Sequence, residues 1–145
     1  MTGGATLTIN GTGIINGTGA GSVVTVEGAG SKLILGEINN GTSTGPTITN
    51  GTGTVFSGQE NKRVGGGVFV KRTDASVTAN NYNWSASFWM KGGTIRNNTA
   101  QAGGGIYVDA ACGFTMDGGT VDSNTAEDSE GGGIFVTSAY DYNFG

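Results

Sequence analysis

Histidine is absent from this 145-residue chain, proline and cysteine occur once each, and seven lysines and arginines face eleven acids. Each shortage closes off a class of function. Without histidine the chain lacks the commonest general base and metal-ligating side chain. The lone Cys112, in "DAACG", has no partner for an internal disulfide and reads as a small buried residue. No apolar run is long enough to span a membrane. The opening "MTGGATLTIN" has neither the charged nor the apolar region of a signal peptide. From Asp109 onward there are acids and no base, and the net charge is −4, so no basic arm is available for nucleic acid.

Good helix formers are also scarce, with leucine only at positions 7, 33 and 35, whereas glycine occurs 30 times. Glycine disfavours helix interiors, and the abundant Thr, Val and Ile favour pleated surfaces. The expected class is all-β with many tight turns. Hydrophobic residues make up 35% of the chain, too few for a thick core but enough for a thin, regular one. Their regular spacing and the low charge argue against a disordered linker.

That spacing is a repeat. Segments that open alike begin at Leu7, Leu33, Phe88, Phe114 and Tyr142, with steps of 26 residues between the first two and between Phe88 and Phe114. A period near 26 suits one coil of a parallel β-helix, with three short strands joined by turns. Phe88-Trp89-Met90 and Phe114-Thr115-Met116 alternate as half-buried first strands, matching Leu7-Thr8-Ile9 and Leu33-Ile34-Leu35. Ile14, Val55, Ile95 and Val121 are expected to begin the second strand. Third strands follow at Val24-Thr25-Val26, Val68-Phe69-Val70, Ile106-Tyr107-Val108 and Ile134-Phe135-Val136, the last three behind triple glycines. Those glycines supply the positive φ that sharp corners need, and Asn98 stacked above Asn124 is expected to form a hydrogen-bonded ladder.

The expected fold is therefore a right-handed parallel β-helix, a solenoid of about five coils of roughly 26 residues, running as one segment over 1–145. One coil cannot cover its own apolar faces. The chain opens in a strand and stops inside a new one, so it reads as a fragment of a longer solenoid or a unit that associates end to end. Two stretches break the period. A polar loop insertion is expected over 71–87, carrying Tyr82 and Trp84, and the short coil at 33–48 has no clear register.

The motifs Ile95-Arg96-Asn97-Asn98 with Gly104-Gly105-Ile106, and Val121-Asp122-Ser123-Asn124 with Gly132-Gly133-Ile134, resemble the repeats of the chlamydial polymorphic outer-membrane proteins. Those repeats pair Phe-x-x-Asn with Gly-Gly-Ala-Ile. Here Ile or Val replaces Phe, and a triple glycine replaces Gly-Gly-Ala. The similarity covers roughly 51–145. It implies a right-handed β-helical passenger or adhesin region, displayed at the cell surface or secreted by a bacterium.

Candidate sites follow from the register. Phe69, Tyr107 and Phe135 share one slot between inward residues, so they are expected to form an outward aromatic ridge for a surface glycan or protein of a host or neighbouring cell; a self-stacking ladder is the competing reading. Tyr82 and Trp84 on the loop, with outward Trp89, form a second candidate surface. In "EDSEGGG", Glu127, Asp128 and Glu130 offer oxygen ligands for calcium, although adjacent loop acids are commonly just solvated. Enzymes that cleave polysaccharides, as lyases or glycosidases, need converging carboxylates. Asp117 with Asp122, and Asp109 with Asp141, are the available pairs, and surface scatter explains them better. Aligned threonines (Thr94 with Thr120, and Thr18 with Thr99 and Thr125) suggest an ice-binding array, which Trp89, Arg96 and Asp122 interrupt. The four Asn-Gly-Thr triplets match a glycosylation pattern that composition alone can produce. The expected function is a non-enzymatic stiff scaffold with adhesin-like contacts, without catalytic residues.

Overall fold

The computed structural model describes residues 4–73 and 85–137, and these are all-β apart from one 3-10 turn at Ser57–Gln59. Three parallel sheets of four strands each dominate, and each pass of the chain adds one strand to each sheet. The first sheet is ordered β1 (Thr6–Ile9), β4 (Ser31–Leu35), β11 (Ala86–Met90) and β15 (Gly113–Met116). The second holds β2 (Ile14–Asn16), β7 (Thr47–Thr49), β12 (Thr94–Arg96) and β16 (Thr120–Asp122). The third holds β3 (Val24–Glu27), β10 (Val68–Lys71), β14 (Ile106–Val108) and β18 (Ile134–Val136). The described residues thus make four passes; the fifth expected opening, at Tyr142, lies outside the described residues.

Registers in the first sheet follow the sequence alignment: Leu7 pairs with Leu33, Leu33 with Phe88, and Phe88 with Phe114. The third-sheet slots also match, since Val24, Val68, Ile106 and Ile134 lie in one row. Inward side chains from all three sheets (Leu33, Leu35, Phe88, Met90, Ile48, Ile95, Val68 and Ile106 among them) meet in one continuous core. Each such side chain contributes about 1.5–3 kcal/mol on burial.

The second sheet corrects the expectation. Ile15 and Ile48, not Ile14 and Val55, lie in the row of Ile95 and Val121. Strand alternation turns Ile14 outward, 71% exposed. Val55 belongs to a separate hairpin and is 62% exposed.

Two hairpins also explain why the second pass is long and irregular. In the first, β5 (Glu37–Asn39) pairs antiparallel with β6 (Thr42–Thr44) around Asn40-Gly41. Both turn residues take positive φ, 48° and 77°, as the tight type I′ turn requires. In the second, β8 (Thr54–Phe56) pairs antiparallel with β9 (Lys62–Val64). This hairpin continues into a fourth sheet with β13 (Thr99–Ala102) and β17 (Thr125–Glu130). The insertion expected over 71–87 is narrower at its edges, because Lys71 ends β10 and Ala86 begins β11; its residues 74–84 lie outside the described part.

The triple glycines sit where the fourth sheet folds back onto the third. Gly65, Gly103 and Gly131 take φ of 58°, 59° and 62°. The following glycines are constrained by close stacking: a Cβ on Gly105 would stand 2.5 Å from the Gly133 carbonyl oxygen and 2.8 Å from Asn124 Nδ2.

The expected asparagine ladder is present. Asn98 Nδ2 donates to Asn124 Oδ1 at 3.0 Å, and Asn98 Oδ1 accepts from the Gly51 N–H at 2.9 Å. Asn97 and Ser123, one residue earlier, carry the left-handed bend with φ of 55° and 53°.

Candidate functional site

The aromatic column is real, but it is covered. Phe69, Tyr107 and Phe135 lie in register, with ring centroids 5.6 Å apart at each step. They point away from the main core as their position predicts, yet Phe69 is 1% and Tyr107 0% exposed. Phe135 is half-buried. The cause is the fourth sheet, whose Phe56, Val64 and Ala102 close a second apolar cluster over these rings. Phe56 meets Phe69 edge-on at 5.1 Å. The expected exposed ridge is therefore an internal ladder. Burial, aided by the charge of Asp109, pushes the ionisation of Tyr107 above the usual phenol range.

Among the described residues Trp89 is one of four partly exposed aromatics, with Phe56, Phe114 and Phe135. It stands half-buried on the outer face of the first sheet, in the outward row Thr8, Ile34, Trp89, Thr115. Its indole N–H donates to Asp117 Oδ2 at 2.7 Å, and Lys91 Nζ lies 4.0 Å from the ring centroid. These two contacts fix the ring's orientation. Beside it is a hollow of about 170 Å³ lined by Lys32, Ser87, Gly113 and Thr115. Gly113 pairs with Ser87, which pairs with Lys32, so it continues their row without contributing a side chain. The hollow thus offers an aromatic wall, a hydroxyl and an ammonium group. Tyr82 and Trp84, predicted to share this surface, lie outside the described residues.

The proposed calcium loop is a strand. Glu127, Asp128 and Glu130 all belong to β17, which lies across β13 from β9 and its bases Lys62 and Arg63. Arg63 pairs with Glu127, and Lys62 lies 3.4 Å from Asp128 and 3.3 Å from Glu130. The carboxylates are thus neutralised by cations, and among the described residues no group of three acids, cysteines or histidines is arranged to hold a metal. The pairing was hidden in the sequence because Lys62 and Glu130 are 68 residues apart.

Among the described residues, the other candidate carboxylates each have a partner of their own. Asp117 is engaged by Trp89, and Asp122 pairs with Arg96 at 3.2 Å. Asp109 accepts from the backbone N–H groups of Ala110 at 2.8 Å and Arg72 at 3.2 Å. Asp141 lies outside the described residues. Cys112 is 7% exposed, and burial pushes its thiol up to about 12.

Threonines do align, but not as a regular array. Thr47, Thr94 and Thr120 form an outward row that ends in Ile14, and Thr99 pairs with Thr125. Thr18 lies outside the strands, and the neighbouring outward row carries Asn16, Thr49, Arg96 and Asp122. No helix among the described residues is long and apolar enough to cross a membrane. No family model, curated protein or solved structure matches this chain.

Proposed function

We propose that the chain is a right-handed parallel β-helix with a basic coil of about 26 residues, acting as a non-enzymatic, stiff scaffold in a bacterial cell-surface or secreted protein. The parallel rows, the asparagine ladder and the glycine corners support the scaffold part. The resemblance of the Ile95–Asn98 and Gly104–Ile106 motifs to surface-protein repeats supports the location. Adhesin-like contact is assigned to the Trp89 face, toward a surface glycan or protein of a host or neighbouring cell.

One observation carries the contact assignment. Trp89 is an orientation-locked aromatic ring on a sheet face, beside a hollow that mixes apolar wall, hydroxyl and ammonium. Such a combination suits a sugar, whose C–H face packs on a ring while its hydroxyls take hydrogen bonds. The test is a glycan-array screen of the wild type and Trp89→Ala, with circular dichroism to verify folding. The expected result is wild-type binding that falls at least about tenfold in the folded variant, about 1.4 kcal/mol. An unaffected variant removes Trp89 from recognition. A wild type that binds no glycan contradicts the sugar assignment.

A further inference from the structure

The chain contains four Asn-Gly pairs, beginning at Asn10, Asn16, Asn40 and Asn50, and the fold treats them in two different ways. Two are locked. The Gly17 N–H donates to the Thr49 carbonyl at 2.8 Å, and the Gly51 N–H donates to Asn98 Oδ1 at 2.9 Å. Their asparagine side chains hold each other, with Asn50 Nδ2 donating to Asn16 Oδ1 at 2.6 Å. Both glycines are tightly packed: a Cβ on Gly17 would stand 2.6 Å from the Asn50 carbonyl oxygen, and one on Gly51 would collide with the Gly66 carbonyl.

The other two pairs are open. Asn40 is exposed at the tip of the β5–β6 hairpin, and nothing lies within 4 Å of where a Cβ on Gly41 would be. The Gly41 N–H has no acceptor among the described residues, since the hairpin pairing stops at Asn39 and Thr42. Gly11 is equally open beside exposed Asn10.

We infer that Asn40 is a covalent modification site at which the asparagine cyclises onto the Gly41 nitrogen and hydrolyses to isoaspartate and aspartate, with water as the co-reactant. Solvent base takes the Gly41 N–H proton as that nitrogen attacks Asn40 Cγ. The Cγ–Nδ2 bond breaks, ammonia leaves, and a five-membered imide closes. Water then opens the imide. Cleavage of the bond to Cγ gives aspartate, and cleavage of the main-chain carbonyl bond gives isoaspartate. One water is consumed and one ammonia released, and nothing is oxidised or reduced. Glycine matters because it has no Cβ to obstruct the attacking nitrogen. At Asn16 and Asn50 the same attack first requires local opening of stacked backbone.

The products change the hairpin. Aspartate adds a negative charge at its tip. Isoaspartate adds a backbone methylene where a two-residue turn fixes the strand register. The hairpin is tied to the sheet stack through Ser43 Oγ, which donates to the Lys91 carbonyl at 2.7 Å, so a shift in β6 is felt at that corner.

The test is peptide mass mapping of the full folded chain after incubation at pH 7 and pH 9, with isoaspartate separated chromatographically. The expected result is a gain of about one dalton in the peptide carrying Asn40, faster at pH 9, with isoaspartate among the products. The peptides carrying Asn16 and Asn50 should lag at least about tenfold in the folded chain, as a modest local-opening cost imposes, and should catch up in urea. In Asn40→Gln the gain should disappear from the hairpin peptide, because glutamine cannot close the five-membered ring. A folded chain in which Asn40 converts no faster than Asn16 and Asn50 would overturn the inference, as would a gain that persists in Asn40→Gln and so belongs to Asn39.

Discussion

Asn98 joins three passes of the chain through one side chain. Its Nδ2 donates to Asn124 Oδ1 in the next pass and, at 3.2 Å, to the Ile48 carbonyl in the previous one, while its Oδ1 accepts from the Gly51 N–H. At 1% exposure no water replaces these partners. Asn98→Leu leaves the Gly51 N–H without its acceptor, a loss that costs about 1–3 kcal/mol, while Asn124 Oδ1 keeps the backbone N–H of residue 98 as a donor. Urea unfolding should show a destabilisation of that order or more. An unchanged midpoint would show that the ladder is incidental to stability. Cys112 supplies a pH-dependent prediction. Burial holds its thiol at about 12, above its ordinary 9.0, so the folded state keeps the proton that the unfolded chain loses. Its contribution to stability is therefore intact below about pH 9 and is lost as pH rises from there toward 12. A thiol reagent at pH 8 should leave Cys112 unmodified in the folded chain and modify it in urea. Rapid modification of folded chain would show that the thiol is accessible.

At the scale of the element, the fold depends on corners that admit no side chain. Gly105→Ala places a Cβ against the Gly133 carbonyl and Asn124, backbone and ladder that cannot easily retreat, and overpacking of this kind costs roughly 1–3 kcal/mol. Gly13, where nothing lies within 4 Å of an added Cβ, is the control: Gly13→Ala should leave the thermal midpoint nearly unchanged, and equal effects at both positions would contradict the stacking geometry. The same contrast shows what the sequence makes legible. The first and third sheets are readable because Leu33, Phe88 and Phe114, or the residues after the triple glycines, carry unambiguous alternation. The second is not, because Ile14 and Ile15 are adjacent apolar residues and a one-residue choice flips the face. Val55 misleads for a related reason, as an apolar residue in a hairpin that leaves the period altogether. The role of the aromatic column was half legible. Register places Phe69, Tyr107 and Phe135 on the outer side of their strands, but the cover comes from β8, β9 and β13, which local pattern does not bring together. Trp89 was legible as outward, whereas its locking by Asp117 depends on the next pass, 28 residues away.

Across the whole molecule, register survives the interruptions: the second pass loops out two hairpins and returns to the rows of its neighbours. Ile34 therefore lies beside Trp89, 55 residues later, and not beside Glu60, which an uninterrupted period would place there. Adjacent strands stand about 4.8 Å apart, inside the 4.4–6.8 Å range of Cα separations that a disulfide bridges. The direct measurement is oxidative cross-linking of two double variants, Ile34→Cys/Trp89→Cys and Ile34→Cys/Glu60→Cys, followed by peptide mapping, with buried Cys112 as an unreactive background. A disulfide between positions 34 and 89, and none between 34 and 60, is the expected result. A disulfide between 34 and 60, or no cross-link between 34 and 89 in a chain that circular dichroism shows to be folded, would contradict the stacked register on which the proposed scaffold rests.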